Sequence, residues 1–237
     1  MNIVILLLVA MAPCGFWLWL IYKWDRYKPE PKWLIIRTFF YGMMVAIPVA
    51  LIETLLYPNA AHASASVSTS AYLAFVVAGV TEEAGKFIIV RRTVYNSPHF
   101  EEPADGLVYS AAAALGFASL ENAIYIFAFG WQVILVRALF SNLAHVLFSA
   151  MWGYALGLSK LGMLKKRWVW LGLAAAMLAH GFFDFLFFTQ SVYTFLAIPL
   201  FLGLIVLFAF MMRYANRHPI YIAHRMLAAK AGLVDKQ

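Results

Sequence analysis

Charge is scarce in this sequence. Asp, Glu, Lys and Arg supply 12% of its 237 residues, about half the ~25% of an average soluble domain. Hydrophobic residues supply 64%, and mean hydropathy is +0.79. One soluble core cannot hide that much apolar side chain, so the chain reads as an integral membrane protein. Cysteine is nearly absent: Cys14 stands alone, which excludes an intrachain disulfide framework. No Lys or Arg precedes Lys23, so the opening apolar run reads as a first span rather than a cleavable signal. Pro13 directly before Cys14 argues against a lipid-attachment site. The net charge of +7 could suggest a nucleic-acid partner. Its distribution argues against one, because basic residues sit in short strips between apolar runs, as in loops on one side of a bilayer.

A helix needs about 20 apolar residues to cross a ~30 Å hydrocarbon core. Seven segments qualify: 2–22, 33–56, 71–90, 106–129, 132–158, 168–189 and 191–212. The expected fold is an all-α polytopic bundle of about seven transmembrane helices over 1–212, followed by a tail over 213–237. Lys23, Arg26, Lys28 and Lys32 fall in the first loop, and Arg91 and Arg92 in the third. Lys160, Lys165, Lys166 and Arg167 fall in the fifth, and Arg213 and Arg217 open the tail. The alternate loops hold no Lys or Arg. The positive-inside rule then puts the N-terminus outside and the tail in the cytoplasm. That tail, "HPIYIAHRMLAAKAGLVDK", reads either as a basic helix along the inner leaflet or as disordered chain. The eight tryptophans, Trp152 among them, read mostly as interfacial anchors. The small-residue run 111–116 should let its helix approach a neighbour closely.

Ionisable residues inside spans are costly and therefore mark function by default. Arg37 lies near a span end and reads as snorkelling. Glu53, one turn from the outer end, either snorkels or pairs inward. Arg137, ~9 Å below the outer surface, reads as a counter-ion to a carboxylate. The rest gather. Counted down from the outer surface, Glu82 lies ~17 Å deep, Glu121 ~14 Å, His145 ~21 Å and His180 ~15 Å. Four helices thus bring an acid or a histidine to one slab, which reads as a single polar site.

Spacing refines it. Glu82 and Lys86 are four apart, as are His180 and Asp184, so each pair stacks on one helix face. Asp184 can fix the tautomer of His180, and Lys86 can neutralise one of two adjacent carboxylates. Glu82 and Glu83 point about 100° apart, so one can face a reacting water and the other a partner helix. This suits general-base hydrolysis, with Glu82 ahead of Glu83 as the base and the histidines stabilising an oxyanion or protonating a leaving amine. Asn142 could add an oxyanion donor or simply bond two helices. Three other readings stay open. A proton-coupled transporter uses such groups, though no inverted repeat is evident. A metal site would suit Glu and His, though no H-E-x-x-H occurs. A silent scaffold could use the cluster to lock helices together.

The run "TEEAGKF" resembles the E-E-x-x-K motif of the PrsW family of membrane-embedded proteases. "FASLENAIY" is similar to its F-x-x-x-E element, with Phe117 and Glu121. "EEPADGLVYSAAAALGF" looks like the family's Asp-Gly helix entry at Asp105 and Gly106, "HGFFD" supplies a histidine, and "WDRYKPEPKW" resembles its first cytoplasmic loop. The resemblance covers roughly residues 20–190. It implies an intramembrane endopeptidase of the cell membrane, related to CAAX prenyl endopeptidases. The implied substrate is a single-pass membrane protein such as an anti-sigma factor, with the lipid bilayer the other partner and no nucleic acid. Catalytic residues would be Glu82, Glu83, Glu121, His145 and His180, supported by Lys86, Asp184 and Asn142. A distant relative, a multi-pass subunit of gamma-secretase, keeps a similar fold without proteolysis, which keeps the scaffold alternative in view. The chemistry favours no cofactor. If a metal is used it is zinc, held by Glu82, Glu121, His145 and His180.

Overall fold

In a bilayer, backbone groups must be satisfied within the chain, and the helix achieves this in one segment. The computed structural model describes residues 2–25, 29–57, 66–189 and 191–217, and among them no strand occurs. The helices are α1 (Ile3–Trp24), α2 (Lys32–Leu56), α3 (Val67–Ala71), α4 (Thr81–Thr93) and α5 (Pro103–Phe129). They continue with α6 (Val133–Leu139), α7 (Ser141–Lys160), α8 (Arg167–Phe188) and α9 (Ala197–Ala215). A π-helical stretch, Tyr72–Val80, joins α3 to α4, and a 3₁₀ turn, Val192–Leu196, leads into α9. Arg26, Lys28, His62 and the tail reading over 218–237 lie outside the described residues.

Among the described residues, six helical runs are long and apolar enough to cross a membrane, α6 and α7 counting as one. The seventh expected span is helical as well, from α3 through the π stretch to α4. Its wide turn and its Glu82, Glu83 and Lys86 set it apart from a uniform apolar span. The expected span over 132–158 is broken at Phe140, between α6 and α7. The helix expected from 106 starts at Pro103, because Glu102 and Asp105 form a capping box ahead of it.

Helix α5 is the axis of the bundle. Every residue from 103 to 119 is buried, and α1, α2 and α7 pack around it. The small residues of 111–116 explain how. A methyl group at Gly116 would overlap the Phe39 carbonyl of α2, and one at Gly42 would meet Ala113. Gly106 and Gly153 bring α5 and α7 together in the same way. The outer faces of α1, α2 and α9 expose large apolar side chains such as Leu8, Leu51, Leu55, Val206 and Phe210, suited to lipid contact.

One end of the bundle is tied by polar contacts to backbone. Arg37 donates to Thr93 O at 2.9 Å, Asn216 to Trp24 O at 2.9 Å, and Lys160 to Tyr95 O. Tyr109 of α5 donates to Glu30 in the first loop, whose own N–H donates to Asp25 at 3.3 Å. Burial pushes the Asp25 carboxyl up to about 6 and that of Glu30 up to about 7, against the hydrogen bonds each accepts. Both acids therefore bind protons more tightly folded than unfolded. Stability should rise as pH falls from about 7.5 towards 5. Melting curves across that range test this, and Glu30→Gln should flatten the slope; a melting temperature that falls with acid would contradict it.

Candidate active site

The π-helical stretch ends at Val80, two residues before Glu82. π turns are rare and concentrate at functional sites; here the turn lies against α8. A Cβ at Gly79 would strike the Met177 carbonyl, and one at Gly181 would strike Phe75. This contact, next to His180, sets α8 against the start of α4. Helix α7 closes the third side. Glu82, Glu83, Lys86, His145 and His180 are all buried.

The two adjacent glutamates have different surroundings. Glu83 is fully enclosed and accepts from Lys86 Nζ at 2.8 Å, Ser149 Oγ at 2.8 Å and Trp152 Nε1 at 2.9 Å. His180 Nδ1 lies 3.2 Å from its Oε1. Such a saturated carboxylate has no capacity left for a water. Glu82 is held by Lys86 Nζ at 3.0 Å and lines a cavity. That cavity, about 750 Å³, runs between α2, the π stretch, α5 and α8, with Ala46, Phe117 and Glu82 at its inner end and Tyr57, Thr69 and Phe188 at its outer end.

Lys86 also fixes a proton. Its ammonium has donors only, so His145 Nδ1, 3.0 Å away, must accept. The ring proton then sits on Nε2, which donates to Glu121 at 2.8 Å. Arg137 balances Glu121 at 2.9 Å. On His180, Nδ1–H donates to Glu83, leaving Nε2 facing Glu82 at 3.8 Å and Asp184 at 3.5 Å. Phe148 stacks on this ring at 4.8 Å. The carboxylates Glu82, Glu83, Glu121 and Asp184 thus share two permanent cations, Lys86 and Arg137.

Could this cluster hold a metal ion? Glu82, His145 and His180 bring one oxygen and two ring nitrogens within 4.8 Å of one another. Two histidines and a carboxylate are a donor set of catalytic zinc. The far nitrogen of each ring is held by a carboxylate, Glu121 behind His145 and Glu83 behind His180, as is usual for metal-bound imidazoles. The residues fit a divalent ion, which would also offset the surplus negative charge. Glu121 stands behind His145 rather than in the donor group, so of the four ligands expected for zinc three converge.

Of the sequence candidates, Glu82, Glu83, Lys86, His145, His180, Glu121 and Asp184 come together. Asn142 does not join them. Its carbonyl accepts from Asn122 at 3.0 Å, and Asn122 in turn accepts from Arg137 Nε at 2.7 Å and donates to Ala10 O at 3.1 Å. It belongs to an interhelical network with α1 and α5. His180 is oriented more closely by Glu83 than by Asp184. Ser149 and Trp152 join the site through Glu83, and their spacing at i+4 and i+7 from His145, which puts them on its face, is the sequence signal for them. Trp152 is no interfacial anchor: it is fully buried.

Residues 30–212 match the model of the PrsW family intramembrane metalloprotease. Protease PrsW of Geobacillus kaustophilus is 35% identical over 182 residues, covering 76% of this chain and 79% of the relative. Protease PrsW of Bacillus subtilis is 33% identical over 180 residues, covering 75% and 80%. Protease PrsW of Oceanobacillus iheyensis is 30% identical over 216 residues, covering 91% and 98%. No solved structure matches. The acids and histidines gathered around Glu82 thus lie in a multi-pass membrane chain that belongs to the PrsW family of intramembrane proteases.

Proposed function

We propose that the chain cuts a single-pass membrane protein, an anti-sigma factor being the substrate the family resemblance suggests, with Glu82 activating the attacking water. One observation carries this: of the buried glutamate pair, only Glu82 lines the cavity. Glu82 takes a proton from water as the oxygen adds to the scissile carbonyl carbon. His180, with Glu83 and Asp184 beside its two nitrogens, carries an imidazolium charge and donates from Nε2 to the oxyanion. When the C–N bond breaks, the proton held by Glu82 passes to the leaving amine. Glu121 and Lys86 hold His145 in one tautomer beside this pair. If zinc is bound, Glu82, His145 and His180 would hold it, and it would lower the pKa of a water and polarise the carbonyl.

The basic strips and the positive-inside rule put the cavity mouth, at Tyr57 and Phe188, on the outer side. The cut should therefore fall in the outer half of the substrate's span. The test is co-reconstitution with a single-pass substrate in proteoliposomes and mass mapping of the products, with and without a zinc chelator. A cut mapped to the outer half supports the reading. Intact substrate, or a cut in the inner half, overturns it. Inhibition by the chelator, reversed by zinc, assigns the metal form.

A further inference from the structure

We infer that Glu53 is a specificity-determining residue that receives a Lys or Arg side chain of the substrate close to the scissile bond. This rests on the proteolytic reading above. Glu53 lies on the wall of the cavity that leads to Glu82, among Ala46, Ala50, Leu73 and Val77. Its carboxylate accepts from the Thr81 hydroxyl at 2.9 Å, and that hydroxyl has a single proton. The same proton is also within reach of the Val77 carbonyl. Among the described residues no Lys, Arg or His forms an ion pair with Glu53. The nearby cations are committed elsewhere, Lys86 to Glu82 and Glu83 and Arg137 to Glu121. Every other acid of the site has a basic group within 3.5 Å.

A carboxylate inside a span is costly without a counter-ion, and the Thr81 hydroxyl brings Glu53 no charge. Glu53 is that group, and it faces space large enough for several residues of an extended chain. Thr81 fixes its distance from the chemistry, because it bonds Glu53 and directly precedes Glu82. An extended chain advances about 3.3 Å per residue, so the matching substrate side chain lies within about three residues of the cleaved bond. A cationic side chain there would pair with Glu53 only once the segment is seated, which selects register as well as sequence.

The experiment walks one lysine, in place of leucine, through the positions flanking the bond that wild type cleaves in proteoliposomes. One position should raise kcat/KM by about 10- to 100-fold over the leucine substrate, the range of a desolvated charge pair. Glu53→Gln should erase that advantage, bringing kcat/KM for the lysine substrate down to that for the leucine substrate. Glu53→Lys should prefer a glutamate at the same position. If no lysine position gains, or if Glu53→Gln lowers both substrates equally, the assignment is wrong although proteolysis stands. If wild type cleaves nothing, the proteolytic reading fails and the assignment falls with it.

Discussion

Replacing Glu82 with glutamine is expected to lower kcat by about 10³-fold or more, the scale of losing a positioned general base and its charge, with little change in melting temperature. The amide keeps the shape, and the residue faces the cavity, so a lost charge there can be answered by solvent. Glu83→Gln should behave in the opposite order. Three donors, from Lys86, Ser149 and Trp152, and the Nδ1 of His180 converge on that carboxylate in a fully enclosed place. An amide offers those donors one acceptor oxygen in place of two and turns its own N–H groups toward the rest, with no solvent to answer them. Breaking a buried pair in this way costs about 3–5 kcal/mol, so the variant should melt early and lose activity together with its fold. Paired melting curves and cleavage rates separate the two. A folded, inactive Glu83→Gln beside an active Glu82→Gln would reverse the roles and sink the mechanism.

Much of this arrangement could be read from residue spacing, and the reasons are physical. Charges in apolar runs are costly, so those that occur are few and mark one place; Glu82, Glu121, His145 and His180 meet because each sits at similar depth on its helix. The small residues at 111–116 announced the tight contact of α5 with α2. What spacing could not show was which partner each group chooses. Adjacent glutamates diverge on any helix, but only the packing of α7 and α8 against α4 encloses Glu83 and leaves Glu82 at the cavity. Trp152 looks like an anchor by position along its span, and only the rotation of α7 turns it inward. The π turn before Glu82 has no sequence signature in a run as uniform as "YLAFVVAGV". Asn142 illustrates the converse, since an amide one turn from His145 on the same helix finds its partner in α5.

Lys86 makes the metal question testable without measuring activity. Its ammonium lies 3.0 Å from Glu82 Oε2 and 3.0 Å from His145 Nδ1, and those residues are two of the three that could hold a metal ion. A dication and an ammonium cannot both sit on those atoms, because at such separations like charges repel by several kcal/mol even at an effective dielectric of about 20. Zinc binding in the wild type must therefore push Lys86 aside or strip its proton. Lys86→Met removes the competitor and keeps much of the side-chain volume. It should tighten zinc by about 10- to 100-fold, a gain of ~1.4–2.7 kcal/mol limited by the freedom of the lysine to swing away. Without zinc the same variant should be destabilised, because Glu82 and Glu83 lose their shared counter-ion. Added zinc should then raise its melting temperature more than that of the wild type, since a ligand stabilises in proportion to its affinity for the folded state. Zinc competition with a chromophoric chelator and melting curves read both effects. Weaker zinc binding by Lys86→Met would mean that the lysine supports the ion rather than displacing it, and unchanged binding would mean that the ion does not use Glu82 and His145. If zinc binds to neither protein, Lys86 is the permanent cation of the glutamate pair, and hydrolysis rests on Glu82 and His180.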